Sequence, residues 1–221
     1  HGLTYAELIR KLGEPAAQEY ASAMAGAVAA YWSVAKAEEI ACDLQKAPAF
    51  LYARRTAAPL EEEAHAAALC GISAKLTDRT ELPFAVKGAL CFPESAVLHP
   101  LKFLGGLAKE LHLYEHTRAM DVRDHAVITD HGVVEAEKIV IATHFPFLNR
   151  PGYYFMRMHQ ERSYVLALRG APKLLGTYYG IEEDGYSFRS AGETLLLGGG
   201  GHRTGETHGG KYDDLRAVAK T

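Results

Sequence analysis

The sequence lacks the cysteine and histidine patterns that build disulfide frameworks and metal sites. Its three cysteines, Cys42, Cys70 and Cys91, lie far apart, and no Cys-x-x-Cys pair occurs. Because an odd number cannot pair fully within the chain, we expect buried free thiols, as in a reducing cytoplasm. The 11 histidines show no His-Glu-x-x-His or similar ligand spacing. We therefore predict no metal site.

Basic charge and long apolar runs are also scarce. The formal net charge of -3 provides no basic surface on which nucleic acid could dock. The longest mainly apolar stretch, residues 21–34, is interrupted by Ser22 and Ser33 and is too short to span a bilayer. The chain opens on His-Gly-Leu-Thr without a basic-then-apolar signal. These absences predict a cytoplasmic protein with neither nucleic acid nor membrane as a partner.

Hydrophobic periodicity predicts four helices, over residues 5–12, 14–46, 59–70 and 99–111. Thr4 and Glu7 have the spacing of a capping box at the start of the first helix. Pro100 lies near the first position of the last helix, where proline is favoured.

Short apolar runs predict a larger number of strands, and the Asp130-His131-Gly132 turn predicts a hairpin. Helices followed by many short strands, with helices inserted, indicate an α+β (mixed α/β) fold with an antiparallel sheet. The best candidate domain boundary is residues 146–151. The predicted strands cover residues 49–53, 72–76, 84–92, 113–115, 126–129, 133–136, 138–143, 163–168, 177–181, 186–189 and 194–197.

The run Lys138-Ile-Val-Ile-Ala-Thr143 is apolar enough to be covered on both faces, as a parallel strand in a nucleotide-binding sheet would be. Open α/β sheets bind ligands at the carboxyl ends of their strands. Thr143 and His144 would therefore lie beside a ligand. The alternative is an interior strand with no ligand at its end.

The glycine run Gly198–Gly201 is the sharpest feature of the sequence. Glycines let the backbone approach a flat ligand with its N–H groups free to donate. Thr204 and Gly205 could open a helix whose N-terminus favours an electron-rich partner. A purely structural glycine loop is the alternative reading.

Three segments, residues 92–119, 132–144 and 186–205, resemble in that order the D-amino-acid-oxidase-like family of FAD-dependent oxidoreductases, which includes glycine and sarcosine oxidases. The similarity runs from about residue 84 to 205. It implies an antiparallel substrate-domain sheet with helices, plus part of an FAD-binding (GR2-type) Rossmann-like domain. Residues 1–83 would hold the helical start of the substrate domain, 84–145 part of the FAD-binding domain, and 146–221 substrate-domain strands and a flavin-contacting segment.

The resemblance also implies roles for individual residues. Arg189 matches the arginine that grips the substrate carboxylate, although Phe188 replaces the usual proline before it. A surface ion pair is the alternative for Arg189. Tyr178, Tyr179 and Tyr186 could line the same cavity, or belong to the core. The predicted FAD contacts are Ala119, which matches a position that touches adenine through its backbone, and Thr143, Gly198, Gly199, Gly200, Gly201, His202, Thr204 and Gly205.

Two departures from the family pattern limit these expectations. His144 replaces the usual glycine after Ala-Thr, and no Gly-x-Gly-x-x-Gly occurs anywhere in the 221 residues. Because that fingerprint holds the FAD diphosphate, we expect an interior fragment of a longer protein that binds FAD weakly or not at all by itself.

The parent enzyme would oxidise an amine or amino acid by hydride transfer to the flavin. An amine that enters neutral requires no general base, so no catalytic acid or base is predicted. A cofactor-free binding module that keeps the fold and a flavin-dependent hydroxylase are the alternatives. The substrate, the electron acceptor and the oligomeric state stay open.

Overall fold

The computed structural model describes residues 2–150, 152–206 and 211–220. These residues form two compact units: the first comprises 2–109, 163–200 and 211–220, and the second comprises 110–150, 152–162 and 201–206. Helices and several sheets occur together, which confirms the mixed α/β fold class. The boundaries between the units follow residues 109, 162 and 200. The assignment of residues 1–83, 84–145 and 146–221 to parts of a substrate domain and an FAD-binding domain stays a prediction.

The helices and strands are numbered in chain order. The helices are α1 Thr4–Leu12, α2 Glu14–Ala37, α3 Ala58–Leu69, α4 Pro100–Leu107 and α5 Lys211–Val218, with a 3₁₀ turn at Tyr154–Met156. The strands are β1 Gln45–Lys46, β2 Ala49–Ala53, β3 Lys75–Thr77, β4 Gly88–Phe92, β5 Ala96–Val97, β6 Ala119–Arg123, β7 Ala126–Thr129, β8 Gly132–Glu135, β9 Glu161–Arg169, β10 Thr177–Gly180, β11 Ser187–Ala191 and β12 Thr194–Arg203.

The four predicted helices are present, but α2 is shorter than predicted. It ends at Ala37 rather than near residue 46. Glu39 and Asp43 have positive φ angles of 50° and 54°, a conformation that a right-handed helix cannot include. The segment after Ala37 leads into β1. Residues 38–46 therefore do not form a helix, although their composition is compatible with one.

Glu63 on α3 caps the start of α1. Its Oε1 accepts from the backbone N–H groups of Thr4 and Tyr5 at 2.8 and 2.9 Å, and its Oε2 accepts from Ala6 at 2.9 Å. The Glu63 side chain is fully buried. The predicted Thr4–Glu7 capping box is therefore wrong: Thr4 is already helical, and no side chain within α1 caps it.

A seven-stranded sheet organises the first unit, in the order β3-β4-β2-β10-β11-β12-β9. The recorded pairings are antiparallel except between β2 and β10, which run parallel. The predicted antiparallel sheet is thus confirmed, with one parallel pair inside it. A two-stranded antiparallel sheet, β1-β5, also belongs to this unit.

The large sheet carries a hydrophobic core on each face. One core combines Leu51 and Leu90 of the sheet with Tyr5 of α1 and Leu60 of α3. The other core has as its buried members Tyr52, Leu82, Ala89, Leu174, Tyr178, Phe188, Leu197 and Leu215. Side chains alternate between the faces of a strand, which explains why Leu51 and Tyr52, neighbours in sequence, belong to different cores.

The second unit contains the antiparallel sheet β6-β7-β8. The hairpin predicted at the Asp130-His131-Gly132 turn is confirmed as β7 and β8. The strands predicted at 113–115 and 138–143 are absent, and the Val140 side chain is 86% exposed. A buried parallel strand needs neighbours on both edges, and no described strand pairs with residues 138–143.

We expect the protein to lose stability in alkaline solution because of two buried tyrosines, Tyr52 and Tyr178. The Tyr52 hydroxyl donates to the Tyr186 carbonyl at 2.8 Å, and that of Tyr178 donates to Glu81 at 3.0 Å. Burial raises the pKa of each tyrosine to about 12. In the unfolded chain they ionise near pH 10, so we expect stability to be unaffected below pH 10 and to fall between pH 10 and 12.

Urea unfolding at pH 8.5 and pH 11 measures this loss. Tyr52→Phe and Tyr178→Phe should each reduce the difference in unfolding free energy between the two pH values. An unchanged difference in the double variant would show that other groups cause the alkaline loss.

Candidate functional site

A cavity of about 260 Å³ lies in the first unit, against β2, β10 and β11. Among the described residues that line it, Arg189 alone is charged. The lining residues are Ala49, Phe50, Leu51, Phe92, Thr177, Tyr178, Tyr179, Ser187, Phe188 and Arg189. An apolar concavity with a few convergent polar groups has the character of a small-molecule site.

Strand register decides which side chains face this cavity together. Tyr179 lies opposite Ser187, and Tyr178 lies opposite Phe188. Because side chains alternate along a strand, Arg189 shares a face with Ser187 and Tyr179. Tyr178 and Phe188 point to the other face, where both are buried in a core.

Arg189 is half-buried and has unused hydrogen-bonding capacity. Its Nη2 donates to the carbonyl of Leu98 at 2.8 Å, whereas its Nε is buried without a hydrogen-bond partner in the described part of the chain. No carboxylate of the described residues forms an ion pair with it. Burying a charge is costly unless it is paired, so the guanidinium is suited to an anionic ligand in the cavity.

Tyr178 and Tyr186, both predicted to bind the substrate, make contacts with other parts of the protein. The Tyr178 hydroxyl bonds to Glu81, and its ring stacks on Phe50 with centroids 4.7 Å apart. Tyr186 lies against the glycine run, since a Cβ on Gly199 would come within 2.6 Å of its ring. Tyr178 therefore borders the cavity from its strand, while its side chain lies in the core on the other face and its hydroxyl is bonded to Glu81.

The residues predicted for the site from the sequence do not include Thr177 and Ser187, the two lining residues with aliphatic hydroxyl groups. Ser187 lies two residues before Arg189 on β11, so strand alternation alone could have found it. Thr177 lies opposite Ala49 in the parallel β2–β10 pair. No pattern among neighbouring residues predicts the pairing of β2 with β10.

The glycine run lies inside β12 rather than in a loop. A Cβ on Gly198 would come within 2.6 Å of the Ser187 Oγ, and Gly200 has a φ of +68°. Together with the Tyr186 contact at Gly199, these observations give structural reasons for three glycines. Gly201 differs, because a Cβ there would meet no atom within 4 Å.

Ala119 and Thr143, both predicted to contact FAD, lie in the second unit. Ala119 begins β6 and pairs with Thr129. The Thr143 hydroxyl donates to the carbonyl of Phe145 at 3.0 Å. His144, which lies between Thr143 and Phe145, has a φ of +62°, a conformation that glycine adopts at little cost. The backbone at this position therefore has the shape that the family's glycine favours.

The remaining predicted FAD contacts, His202, Thr204 and Gly205, lie near the end of β12 or directly after it. His202 lies near the end of the strand, with Nδ1 2.9 Å from the Arg203 carbonyl oxygen. Thr204 donates its backbone N–H to Gln160 at 2.8 Å. Thr204 and Gly205 form a turn, and α5 begins only at Lys211. The first turn of a helix opened by Thr204 and Gly205 would include residues 207–210, which lie outside the described residues, so this stays a prediction.

Two glycines of one strand give a matched test of this packing. We expect Gly199→Ala to lower the free energy of unfolding by about 1–3 kcal/mol, because the added methyl group overlaps the Tyr186 ring. Gly201→Ala, with open space around it, should cost nothing or stabilise by up to about 1 kcal/mol. Chemical denaturation of both variants checks this, and equal losses would contradict it.

The described residues contain no group of three or more His, Cys, Asp or Glu that could hold a metal ion. Within the same residues, no helix combines the length and apolar character needed to cross a bilayer. Cys42, Cys70 and Cys91 are free thiols, and the first two are buried.

Comparison with known proteins establishes the family. A family model described as "FAD dependent oxidoreductase" (DAO) matches residues 2–221. The chain therefore belongs to the DAO family of FAD-dependent oxidoreductases. The resemblance drawn from three segments is confirmed, and it extends to the helical start of the chain.

Solved structures and a curated relative are consistent with this membership. Glycine oxidase from Geobacillus kaustophilus is 20% identical, with a TM-score of 0.68 over 93% of this chain and 61% of that one. Glycine oxidase from Bacillus cereus ATCC 14579 is 17% identical, with a TM-score of 0.70 over 92% and 62% of the two chains. At these identities the likeness shows the fold alone.

The curated relative is "Putative Rieske 2Fe-2S iron-sulfur protein YhfW" of Bacillus subtilis (strain 168). It is 30% identical over 244 residues, which cover 100% of this chain and 47% of YhfW. The chain thus spans about half the length of this relative, and less than two thirds of each glycine oxidase.

Proposed function

We propose that this chain forms the substrate-binding portion, and part of the cofactor-binding portion, of an FAD-dependent enzyme that oxidises an amine or amino acid. The observation that carries the proposal is Arg189, which lines the cavity of the first unit and forms no ion pair with a carboxylate of the described residues. A substrate carboxylate would supply the opposite charge. The structurally similar glycine oxidases act, as their names state, on glycine, an amino acid with such a carboxylate.

The residues present fit a flavin at one position in particular. The Gly201 backbone is open to a flat ring, because a Cβ there would meet no atom within 4 Å. FAD, when bound, would accept the hydride equivalent from the C–H bond next to the substrate nitrogen. Without Gly-x-Gly-x-x-Gly in these 221 residues, we propose that the diphosphate is held by residues outside them. The chain alone would then bind FAD weakly or not at all.

The chain's own residues bind and orient the substrate. Arg189 would hold the carboxylate through two guanidinium donors, since only its Nη2 is bonded to the protein among the described contacts. Ser187 and Thr177 supply hydroxyl oxygens that can accept hydrogen bonds from the amine. Phe92 and Leu51 form an apolar part of the lining, which would exclude water from the C–H bond next to the substrate nitrogen.

Anaerobic flavin reduction tests the proposal. The full-length protein is purified, its flavin absorbance is recorded, and amines and amino acids are added in turn without oxygen. We expect one class of amine to bleach the flavin without any nicotinamide cofactor. Bleaching that requires NAD(P)H would favour the flavin-dependent hydroxylase, and a full-length protein purified without flavin would favour the cofactor-free binding module.

The name of YhfW favours a particular electron acceptor. We propose that the parent enzyme is a dehydrogenase that passes electrons to an iron–sulfur centre rather than to oxygen. A Rieske cluster takes two cysteine and two histidine ligands, and the described residues contain no suitable group, so other residues would hold it. Slow reoxidation of the reduced flavin by oxygen, but rapid reoxidation by a one-electron dye, would support this. Rapid reoxidation by oxygen would identify an oxidase.

The three free thiols support a reducing compartment, and we propose a cytoplasmic location on this ground. Fractionation of the native cell, followed by detection of the full-length protein, tests it. Recovery outside the cytoplasmic fraction would overturn the proposal.

A further inference from the structure

The connection between β9 and β10 is held by side chains from elsewhere in the first unit. It contains neither helix nor strand. The Leu174 N–H donates to the Ser190 hydroxyl at 2.8 Å. The N–H groups of Leu175 and Gly176 both donate to the Glu81 carboxylate, at 3.0–3.2 Å. Because backbone N–H groups outside helices and strands need an acceptor from elsewhere, these two side chains determine how the chain enters β10.

Glu81 also bonds to β10 itself. The Tyr178 hydroxyl donates to the Glu81 Oε2 at 3.0 Å and accepts from the Glu81 backbone N–H at 3.2 Å. The Tyr178 side chain is buried, with its ring stacked on Phe50. Glu81 is therefore bonded to the residue directly before Thr177 and to the residue directly after it.

Thr177 is the residue whose place this arrangement sets. Its own N–H donates to the carbonyl of Pro48 at 2.9 Å, and it is half-buried in the lining of the cavity. Side chains alternate along a strand, and Tyr178 lies in the core on the other face. The Thr177 side chain therefore shares the cavity face with Arg189, and bonds on either side of Thr177 fix its backbone there.

We propose that Glu81 is a positioning residue, which holds the Thr177 hydroxyl where it can bond to the substrate nitrogen while Arg189 binds the carboxylate. This inference rests on the proposed function and adds a residue to it, since Glu81 is not among the described residues that line the cavity. A binding geometry tolerates displacements of only about 0.5 Å. Loss of the Glu81 carboxylate should therefore act on the ligand through Thr177.

Equilibrium binding of two small carboxylates tests the proposal without catalysis. Acetate and glycolate are titrated separately into the oxidised full-length protein by isothermal titration calorimetry. Both offer a carboxylate to Arg189, but only glycolate carries a hydroxyl group in the place of the substrate nitrogen. One further hydrogen bond should make glycolate bind about two- to twelvefold more tightly than acetate. This ratio of affinities is the quantity that Glu81 should control.

Variants of Glu81 and Thr177 show whether one acts through the other. Glu81→Ala should lower the glycolate preference to about that of Thr177→Val, while the affinity for acetate stays near its wild-type value. The double variant should show no further decrease. Glu182→Ala is the matched control, because the Glu182 carboxylate also accepts from two backbone N–H groups, those of Arg54 and Arg55, beyond the opposite end of β10. It should leave the preference unchanged.

Two conservative variants keep the test decisive if Glu81→Ala does not fold. Glu81→Gln should retain most of the preference, because its amide oxygen can replace Oε2, which accepts from Leu175, Gly176 and Tyr178. Glu81→Asp keeps the charge but is shorter by one methylene. It should lower the preference, because its carboxylate cannot reach these partners without displacing the chain around Thr177.

The outcomes separate the positioning role from the function on which it rests. If both acids bind through Arg189 but the wild type shows no glycolate preference, or Glu81→Ala and Glu81→Asp retain it, the positioning role is overturned and the proposed function stands. An equal decrease in Glu182→Ala would also overturn it, since the effect would then be a general loosening of the sheet. If neither acid binds, or binding survives Arg189→Met, the proposed function itself fails.

Discussion

Replacing Arg189 with methionine is expected to lower kcat/KM of the full-length enzyme for its amino-acid substrate by about a hundredfold to ten-thousandfold. Hydrogen bonds to charged groups contribute roughly 1.5–3 kcal/mol each, and two would be lost, at about 1.4 kcal/mol for each tenfold change. Arg189→Lys keeps the charge but loses the two-pronged geometry, so its loss should be intermediate. Steady-state kinetics with both variants measure these effects.

An amine without a carboxylate provides the internal control. Its kcat/KM should be nearly the same in the wild type and Arg189→Met, because Arg189 has no acceptor to bind. A structural role would lower both activities together, for instance by loss of the bond from Nη2 to Leu98. Arg169→Met, at an exposed arginine on β9 of the same sheet, serves as the matched arginine variant. Equal losses for the amine and the amino acid would contradict carboxylate recognition by Arg189.

Local patterns predict those elements whose stability is decided locally or by simple burial. The strand β2 follows Pro48 as a short apolar run, and it becomes a central strand of the large sheet. The β7–β8 hairpin forms at the predicted turn, where the Thr129 hydroxyl donates to the Gly132 carbonyl at 2.8 Å. In both cases the signal lies in consecutive residues.

The missed elements depend on partners that are distant in sequence. Residues 138–143 have the composition of a buried strand, but composition supplies no neighbouring backbone groups for pairing. The strand β6 escaped notice because its register shifts between Ala119 and Asp121, and such a bulge breaks the alternation from which strands are inferred. Residues 113–115 lie just before β6, so the prediction placed a strand too early in this region.

The same distinction applies to the candidate site. The resemblance indicates Arg189 from its sequence surroundings, and alternation along β11 extends it to Ser187. The wall formed by Ala49 and Leu51 depends on the parallel pairing of β2 with β10, which joins segments far apart in the chain. This part of the cavity lining is therefore recognised only in the structure.

Loss of the Glu63 carboxylate is expected to have the largest effect on stability. Glu63→Ala should lower the free energy of unfolding by about 3–5 kcal/mol, because three backbone N–H groups of α1 lose their acceptor at once. The N-terminal end of the helix dipole also loses its counter-charge. Urea denaturation at neutral pH measures the loss. Glu62→Ala, an exposed glutamate on the same helix, should change the free energy by less than about 0.5 kcal/mol.

Glu63→Met distinguishes capping from the filling of space. Buried charges can often be replaced by apolar residues of similar volume without loss, because the cost of burying the charge disappears. Here the partners are backbone N–H groups of Thr4, Tyr5 and Ala6, and no substitution at position 63 removes them. They would stay without an acceptor beside Tyr5, which is 1% exposed. We therefore expect Glu63→Met to be nearly as unstable as Glu63→Ala, with Glu63→Gln closer to the wild type because its amide oxygen still accepts. A Glu63→Met variant as stable as the wild type would show that volume, and not the cap, joins α1 to α3.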